Sequence, residues 1–365
     1  MNKYQEFLPA FKENNVVVVL SSSNFFVPYL SVCIESIISN ADDKYNYDII
    51  IFERNISKYN KDIVLSMIKE KLNISLRFIN ISETVKKINF YVNSDRISQE
   101  TYYGLLIPFI LINYDRAIIM DCDMIVRTDI SELFFEELED KIAGGINDIV
   151  LQGWLSDKEN DTFNYYTKYL KIENPFNCFN GGLILLDFNK YRKSFNKNII
   201  IKYINNYKLR VVDQDIFNLL LVGKVKLLDY KWNHMINVKG AISDAIEKSP
   251  KKAQEKYFLA RTNPGIIHYA GEQKPWINPE VEFSNEFWTL ARKNPYYEVI
   301  LYRMCETMIN KYGINFSEYN KDKHRIKSLK IKVKNFIKIF LPKGTKRHRF
   351  VKKLYFKLRG WPFVE

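Results

Sequence analysis

Short apolar runs alternate with segments of helical periodicity over roughly the first 120 residues of the chain. The apolar runs are "NNVVVVLS", "YDIIIF", "ISLRFINI" and "RAIIM", and the segments between them are "VPYLSVCIESIISN", 59–72 and "QETYYGLLIPFIL". Strands that alternate with helices build sheets whose strands are mainly parallel. The sequence therefore predicts an α/β fold with a mainly parallel central sheet flanked by helices.

Polar residues follow the first and fourth of these predicted strands. The serines Ser21, Ser22 and Ser23 close the first, and Asp121 and Asp123 close the fourth. In open α/β sheets, ligands bind outside the carboxyl ends of the strands. We therefore expect the serine loop and the two aspartates to lie at the same edge of the sheet.

Asp121 and Asp123 place two carboxylates one residue apart at the end of a buried strand. Such carboxylates repel each other unless a positive charge lies close to both. Carboxylate oxygens are the ligands that Mg²⁺ and Mn²⁺ prefer. The alternative is that one aspartate caps the following helix while the other is solvated, so the metal site is a hypothesis.

His268 ends a short predicted strand in "IIHYAGEQKPW". An isolated histidine is most often an ordinary core or surface residue, but an imidazole at a strand end is also a plausible third metal ligand. Gly271 would allow a phosphate to approach the backbone closely, and Lys274 would supply a positive charge. Together these residues suggest a site for a diphosphate.

Asp213, Gln214 and Asp215 begin a predicted helix that continues as "IFNLLL". Acidic residues near a helix N-terminus are favourable in any protein, so helix capping is the alternative to a functional role, above all for Asp215.

The sequence "FNGGLILLD" is a predicted strand that opens with Asn180, Gly181 and Gly182. The glycines either serve a turn or leave bare backbone against which a ligand can lie. In the second case the amide of Asn180 would reach the hydroxyl groups of that ligand.

Positive charge is concentrated at the end of the chain. The formal net charge is +13, but residues 321–365 hold 16 Lys/Arg and two acids, which leaves the rest of the chain at −1. Apolar residues recur at helical spacing in this segment, and basic amphipathic helices bind anionic membrane surfaces. We expect a main domain over 1–285, a helical extension over 286–320 and a basic amphipathic membrane-attachment tail over 321–365.

From the sequence we expect no signal for export. Its first residues, "MNKYQEFLPAFKENN", lack the features of a signal peptide, and no uncharged apolar stretch is long enough to cross a membrane. The four cysteines are scattered, which is typical of a reducing cytosol and argues against a zinc ribbon or a disulfide framework. We expect a cytoplasmic protein that is peripheral on the inner face of the cytoplasmic membrane.

Four motifs, "MDCDMIV", "FNGGLILLD", "DQDIFNLLL" and "HYAGEQKPW", follow one another along the chain. In this order and at this spacing they resemble glycosyltransferase family 8, the retaining, metal-dependent enzymes of the GT-A fold. Within that family the chain looks like the bacterial lipopolysaccharide galactosyl- and glucosyltransferases, and the resemblance covers roughly residues 15–290. It implies a GT-A catalytic domain that transfers galactose or glucose from a UDP-sugar to a glycolipid or oligosaccharide acceptor.

The resemblance also implies roles for individual residues. Asp121, Asp123 and His268 would hold Mn²⁺, or Mg²⁺, against the diphosphate of the UDP-sugar, which Gly271 and Lys274 would contact. The residues that would line the donor sugar are Asn180, Gly181, Gly182, Asp213 and Gln214. The residues that would hold the uracil and ribose are Ser21, Ser22 and Ser23.

Gln214 matches the family amide that lies under the anomeric carbon, and an amide is a poor nucleophile. We therefore expect attack by the acceptor on the face that the diphosphate leaves, rather than a double displacement. The residues expected to act in the reaction are Gln214, Asp213 and Asp121.

Gly104, in "TYYGLLIP", stands where the family usually has an arginine that contacts the donor sugar. An altered sugar preference and a non-catalytic sugar-nucleotide binder are therefore alternatives. An Asp-based phosphatase of the haloacid-dehalogenase type also places D-x-D after a buried strand, but it leaves "HYAGEQKPW" without a role. A nucleic-acid binder would explain the basic tail but not the four motifs, so we do not expect nucleic acid as a partner.

Overall fold

The computed structural model describes residues 7–91 and 99–311. The chain divides into two compact units, Met1–Asn294 and Pro295–Glu365. The described strands are β1 (Asn15–Ser21), β2 (Asn46–Glu53), β3 (Ile74–Asn80), β4 (Arg116–Met120), β5 (Met124–Val126), β6 (Ala143–Asn147), β7 (Phe179–Asp187), β8 (Val225–Leu227), β9 (His234–Met235) and β10 (Ile266–His268).

The described α-helices are α1 (Val27–Ser39), α2 (Lys58–Ser66), α3 (Ser82–Val85), α4 (Ile107–Ile110), α5 (Ser131–Phe134), α6 (Ile149–Ser156), α7 (Thr162–Asn164), α8 (Phe188–Ser194), α9 (Lys197–Asn206), α10 (Val212–Leu220), α11 (Ala241–Lys248), α12 (Lys251–Arg261), α13 (Ser284–Ala291) and α14 (Tyr297–Lys311). Segments of 3-10 helix lie at Gln99–Leu105, Pro175–Asn177 and Tyr230–Asn233, and a π-helical turn lies at Tyr165–Tyr169. Of these elements, α14 belongs to the second unit.

Within the described residues, seven strands form a sheet in the order β3-β2-β1-β4-β7-β6-β8. The neighbours among β1 to β4 are parallel, β7 runs antiparallel to both β4 and β6, and β8 is parallel to β6. The predicted α/β fold with a mainly parallel central sheet is therefore confirmed. Because β7 is reversed, its first residues lie at the same edge as the carboxyl ends of β1 and β4.

Three further strands form a small sheet in the order β5-β10-β9. β10 is antiparallel to β5 and parallel to β9. The first strand of this sheet follows β4 of the large one directly, because only residues 121–123 separate β4 from β5. The two sheets are thus joined at the point where the two aspartates occur.

The run of four valines in β1 forms the centre of the core. Val16 to Val19 are at most 4% exposed, so both faces of the strand are covered. A strand buried on both faces has successive apolar residues instead of an alternating pattern. The β-branched side chains also favour the extended backbone, which explains why the sequence identified this strand and the similar run in β4.

Two helix predictions were longer than the helices observed. The helix expected over 59–72 ends at Ser66, and Leu72 is 95% exposed, so a longer helix would bury little more apolar surface. The helix expected over 99–111 is a 3-10 segment followed by the single turn α4. Gly104 is a poor helix former, and Pro108 is accommodated only in a first helical turn, so a continuous α-helix is disfavoured.

The expected tail over 321–365 lies outside the described residues. In the part of the chain that the structure describes, every helix is too short or too polar to cross a bilayer. Cys33, Cys122, Cys178 and Cys305 are all free thiols.

Candidate functional site

The two aspartates lie at the junction between the sheets, in the three-residue link from β4 to β5. The backbone N–H of Asp121 donates a 2.8 Å hydrogen bond to the carbonyl oxygen of Gly182, and the N–H of Tyr269 donates one of 3.0 Å to the carbonyl of Asp123. The thiol of Cys122 donates to the carbonyl of Ser21, with 3.2 Å between sulfur and oxygen. These three bonds fix the link against β7, β10 and β1.

His268 is the last residue of β10 and brings its imidazole to the same point. It pairs with Met124 of β5 in the antiparallel register. Its Nε2 lies 3.3 Å from Oδ1 of Asp123 and 4.0 Å from Oδ2 of Asp121. Among the described His, Cys, Asp and Glu residues, this is the one group of three whose ligand atoms lie within 4.8 Å of one another.

The electrostatics of the two carboxyl groups differ. Burial, and then the neighbouring charge of Asp123, raise the pKa of Asp121. Burial acts in the same direction on Asp123, but the ammonium of Lys274, and the imidazole of His268 in its protonated form, hold the pKa of Asp123 well below the usual range. The ammonium of Lys274 donates a hydrogen bond to Oδ2 of Asp123. An additional positive charge beside Asp121 would therefore favour its ionised form.

A divalent cation fits this group of side chains. Oδ1 of Asp123 is buried and makes no hydrogen bond, and leaving a buried acceptor without a partner costs about 1–3 kcal/mol. A cation beside that oxygen would remove this cost, and carboxylates and neutral imidazole are both common metal ligands.

Gly182 leaves the space that this arrangement needs. A Cβ atom at this position would lie 2.6 Å from Cε1 of His268 and 2.9 Å from Oδ2 of Asp121. Both distances are shorter than van der Waals contact, so a larger residue would push the candidate ligands apart.

Gln214, on the first turn of α10, is held against the start of β7. Its Oε1 accepts hydrogen bonds from the backbone N–H of Gly181 at 2.8 Å and from Nδ2 of Asn180 at 3.3 Å. A Cβ atom at Gly181 would lie 2.9 Å from the Cβ of Gln214, so a glycine lets α10 approach the strand. The structure thus brings the "FNGG" and "DQD" motifs into direct contact.

Asp148 is a site residue that the sequence analysis missed. Its Oδ1 caps α6 by accepting from the N–H of Leu151 at 2.9 Å. Its Oδ2 accepts from Nδ2 of Asn180 and from Nε2 of Gln214, both at 3.1 Å. An aspartate before the apolar run "IVLQGW" is a helix-start signal, but that signal does not reveal the two amide contacts.

Asn233 is a second site residue that the sequence did not reveal. It ends the 3-10 segment Tyr230–Asn233, and its side chain lies between Asn180 and His268. Its Nδ2 donates to Oδ1 of Asn180 at 3.0 Å, and its Oδ1 lies 2.9 Å from Nδ1 of His268. No spacing pattern in the sequence distinguishes this asparagine from others.

The carboxyl groups of Asp213 and Asp215 lie in different surroundings. Burial raises the pKa of Asp213 to about 7, although hydrogen bonds from backbone N–H groups and from Thr101 act in the opposite direction. Asp215 is fully buried and accepts hydrogen bonds of 2.7 Å from the hydroxyl groups of Tyr165 and Tyr166. Asp215 also accepts from two backbone N–H groups before α10, so it has a structural role at the start of this helix.

The serine loop and the loop after β10 border the same edge. Ser22 is buried and its N–H donates to the carbonyl of Phe52 at 3.1 Å. Gly271 has a φ of +82°, a left-handed conformation that glycine adopts without strain. Trp276 stacks on Tyr29 of α1 with 4.3 Å between ring centroids, which holds the loop that carries Gly271 against α1.

Gly104 lies buried beneath this edge. A Cβ atom there would lie 3.4 Å from Phe217 and 3.5 Å from Ile119, which are ordinary van der Waals distances. The immediate surroundings of this position are therefore apolar.

Comparison with known proteins shows which protein family this chain is similar to. The family model described as glycosyl transferase family 8 matches residues 17–279. A putative glycosyltransferase of Haemophilus influenzae is 28% identical over 264 residues, which are 71% of this chain and 72% of that protein. The lipopolysaccharide 1,2-glucosyltransferase of Escherichia coli is 25% identical over 221 residues, which are 57% of this chain and 61% of that protein.

Among solved structures, the bifunctional glycosyltransferase WbbM in its apo form superimposes with a TM-score of 0.72 at 27% identity. The alignment covers 81% of this chain but only 52% of WbbM, so the chain spans about half the length of that protein. The shared architecture is that of the GT-A glycosyltransferases.

Proposed function

The chain belongs to glycosyltransferase family 8, and we propose that it moves a hexose, with retention of configuration, from a UDP-sugar to a lipopolysaccharide or other cell-surface glycan. Galactose and glucose are the proposed sugars, and Mn²⁺ or Mg²⁺ is the proposed cofactor. The observation that carries this proposal is the cluster of Asp121, Asp123 and His268 around Gly182, with Nε2 of the histidine 3.3 Å and 4.0 Å from the two carboxylates.

The proposed site binds the donor through its diphosphate. Asp121, Asp123 and His268 would hold the cation, which when bound would stabilise negative charge on the departing UDP. Lys274 lies beside Asp123 and adds a positive charge at the same place. Gly271 leaves its backbone accessible to a phosphate oxygen. The serine loop at the end of β1 is the proposed site for the uracil and ribose.

The environment of Gln214 supports attack by the acceptor on the leaving-group face. Its carbonyl oxygen already accepts two N–H groups, and its amide nitrogen donates to the buried Asp148. An amide oxygen that is engaged in this way is a poorer nucleophile still. We propose that Gln214 and Asp213 position the sugar, while the leaving phosphate oxygen takes the proton of the acceptor hydroxyl.

The proposed acceptor is carried by a lipid, and the name of the Escherichia coli relative supports a lipopolysaccharide. The basic segment 321–365 would attach the protein to the anionic inner face of the cytoplasmic membrane. This part of the proposal rests on the sequence, because the segment lies outside the described residues.

The test is UDP release from a panel of UDP-sugars in the presence of Mn²⁺, with and without EDTA. We expect one sugar to give release that EDTA abolishes and that Asp123→Ala lowers on the order of 100-fold or more, because loss of metal stabilisation costs several kcal/mol. The matched control is Asp140→Ala, which removes an exposed aspartate. UDP binding without release from any sugar would instead support the non-catalytic binder, and release that is indifferent to EDTA would refute metal dependence.

A further inference from the structure

Asn233 is the link between the donor-sugar side of the site and the histidine of the metal cluster. We infer that Asn233 is a positioning residue: it holds His268 in the tautomer that carries its proton on Nδ1, so that the lone pair of Nε2 faces the two aspartates. The inference rests on the proposed metal site. It concerns which ring nitrogen of His268 carries the proton before any metal or substrate is bound.

The argument starts at a backbone group whose direction is fixed. The N–H of Gly182 can only donate, and its partner, at 3.0 Å, is the side chain of Asn180. The atom of Asn180 that faces Gly182 is therefore the oxygen, Oδ1. Its amide nitrogen then points the other way, where it donates to Oδ2 of Asp148 at 3.1 Å and to Oε1 of Gln214 at 3.3 Å. Both of these partners are acceptors, so the assignment is consistent.

The same reasoning applies to Asn233, the next residue in this chain of hydrogen bonds. Oδ1 of Asn180 is an acceptor, so the atom of Asn233 that lies 3.0 Å from it is the donor Nδ2. The oxygen of Asn233 consequently faces Nδ1 of His268, at 2.9 Å. An oxygen of an amide accepts and does not donate. The proton of a neutral His268 therefore resides on Nδ1.

The consequence falls on the other ring nitrogen. Nε2 is then unprotonated, and its lone pair lies 3.3 Å from Oδ1 of Asp123 and 4.0 Å from Oδ2 of Asp121. A lone pair and two carboxylates repel one another unless a cation lies among them. Asn233 and His268 are 2% and 4% exposed, so water is largely excluded as an alternative partner for Nδ1. Partners of this kind contribute about 10- to 100-fold to metal affinity.

Two measurements on the full-length protein test the inference. The first is the ¹⁵N spectrum of the histidine rings in metal-free protein at pH 8, with His268 assigned by its loss in His268→Asn. The second is the affinity for Mn²⁺ in the presence of UDP, measured by electron paramagnetic resonance of the free ion. The variants are Asn233→Ala, Asn233→Asp and, as the matched control, Asn294→Ala, which removes another buried amide that accepts from Ser31 at 2.9 Å.

We expect wild-type His268 to be protonated on Nδ1, and Asn233→Ala to lose this tautomer and to bind Mn²⁺ about 10- to 100-fold more weakly. Asn233→Asp keeps an acceptor for Nδ1 and is expected to keep the tautomer. Asn294→Ala should change neither quantity. The inference is overturned if wild-type His268 is protonated on Nε2, or if Asn233→Ala matches the wild type in tautomer and affinity. If the wild type shows the Nδ1 tautomer but binds no Mn²⁺, the proposed metal site fails while the assignment of Asn233 stands.

Discussion

The side-chain oxygen of Gln214 accepts a 2.8 Å hydrogen bond from the backbone N–H of Gly181. This bond ties the first turn of α10 to the entrance of β7, two elements that are distant in sequence. It also fixes the orientation of the amide, because a backbone N–H cannot accept. The nitrogen of Gln214 must then face an acceptor, and that acceptor is Oδ2 of Asp148.

Asp148→Asn is expected to disrupt this network although the side chain keeps its shape. Both oxygens of Asp148 accept hydrogen bonds: one from Leu151, the other from Asn180 and Gln214. An amide nitrogen in either position would face a donor, which costs about 1–3 kcal/mol. Urea unfolding should show this loss, and turnover should fall more than UDP affinity. Unchanged stability and unchanged turnover would contradict the network.

Gly182→Ala should weaken metal binding without unfolding the protein. The added methyl group would lie 2.6 Å from Cε1 of His268 and 2.9 Å from Oδ2 of Asp121. We expect the affinity for Mn²⁺ to fall by more than about tenfold, as for other disturbances of ligand placement. Gly104→Ala is the control, because its methyl group would meet Phe217 at an ordinary 3.4 Å. If Gly182→Ala and Gly104→Ala bound Mn²⁺ with equal affinity, the metal ligands would not depend on the space that Gly182 leaves between them.

Lys274→Met should separate the binding of nucleotide from the binding of metal. The ammonium of Lys274 helps to hold the pKa of Asp123 low and neutralises part of the cluster. Its removal leaves the aspartates with more net negative charge, so Mn²⁺ alone should bind at least as tightly at pH 8. UDP should bind more weakly at a fixed Mn²⁺ concentration, because a positive charge near the diphosphate is lost. Calorimetry of both ligands measures the two effects, and parallel losses would refute this role.

His234 should make the protein less stable in mild acid. Its ring is fully buried against Tyr257, with 4.7 Å between ring centroids. Burial, and then the charge of Arg261, lower its pKa from 6.5 to about 4. The unfolded chain binds this proton more tightly between these two pH values, so stability falls as the pH drops below 6.5. The contribution is about 2 kcal/mol at pH 5 relative to pH 7.5.

The variant His234→Phe isolates this effect. It removes the titrating group and keeps an aromatic ring beside Tyr257. Urea unfolding at pH 7.5 and pH 5 should show a smaller difference between the two pH values in the variant than in the wild type. An equal pH dependence in both proteins would show that other groups control the acid sensitivity.

Deletion of residues 321–365 should release the protein from membranes. The segment carries a net charge of +14 and apolar residues at helical spacing, so attraction to anionic lipid adds to apolar insertion. The full chain should co-sediment with anionic vesicles, less at high salt and equally after nuclease treatment. Sedimentation of the deleted chain to the same extent would place membrane binding elsewhere.

The features that the sequence predicted well are those encoded by local pattern. The four-valine run of β1 and the run "RAIIM" of β4 are buried on both faces, so composition alone identifies them as strands. The strand ends then place Asp121 beside the serine loop, because parallel strands share an edge. The helix expected over 99–111 was wrong because Gly104 and Pro108 outweigh the apolar periodicity.

The features that the sequence did not predict depend on contacts between distant segments. Asp148 and Asn233 join the site through side-chain hydrogen bonds to Asn180, which lies 32 residues and 53 residues away from them in sequence. Neither residue belongs to a motif with a characteristic spacing. These side chains meet their partners only when the sheet has formed, so the sequence around each residue does not reveal its hydrogen bonds.

The three-residue link between β4 and β5 has a consequence for the lifetime of the protein. Asp121 extends from the large sheet, whereas His268 ends the central strand of the small one. An ion bound by both would tie the two sheets together at the link that residues 121–123 form between β4 and β5. Without the ion this tie is absent, so we expect proteases to cut near β9 and β10 more readily in the metal-free protein than in the metal-bound one.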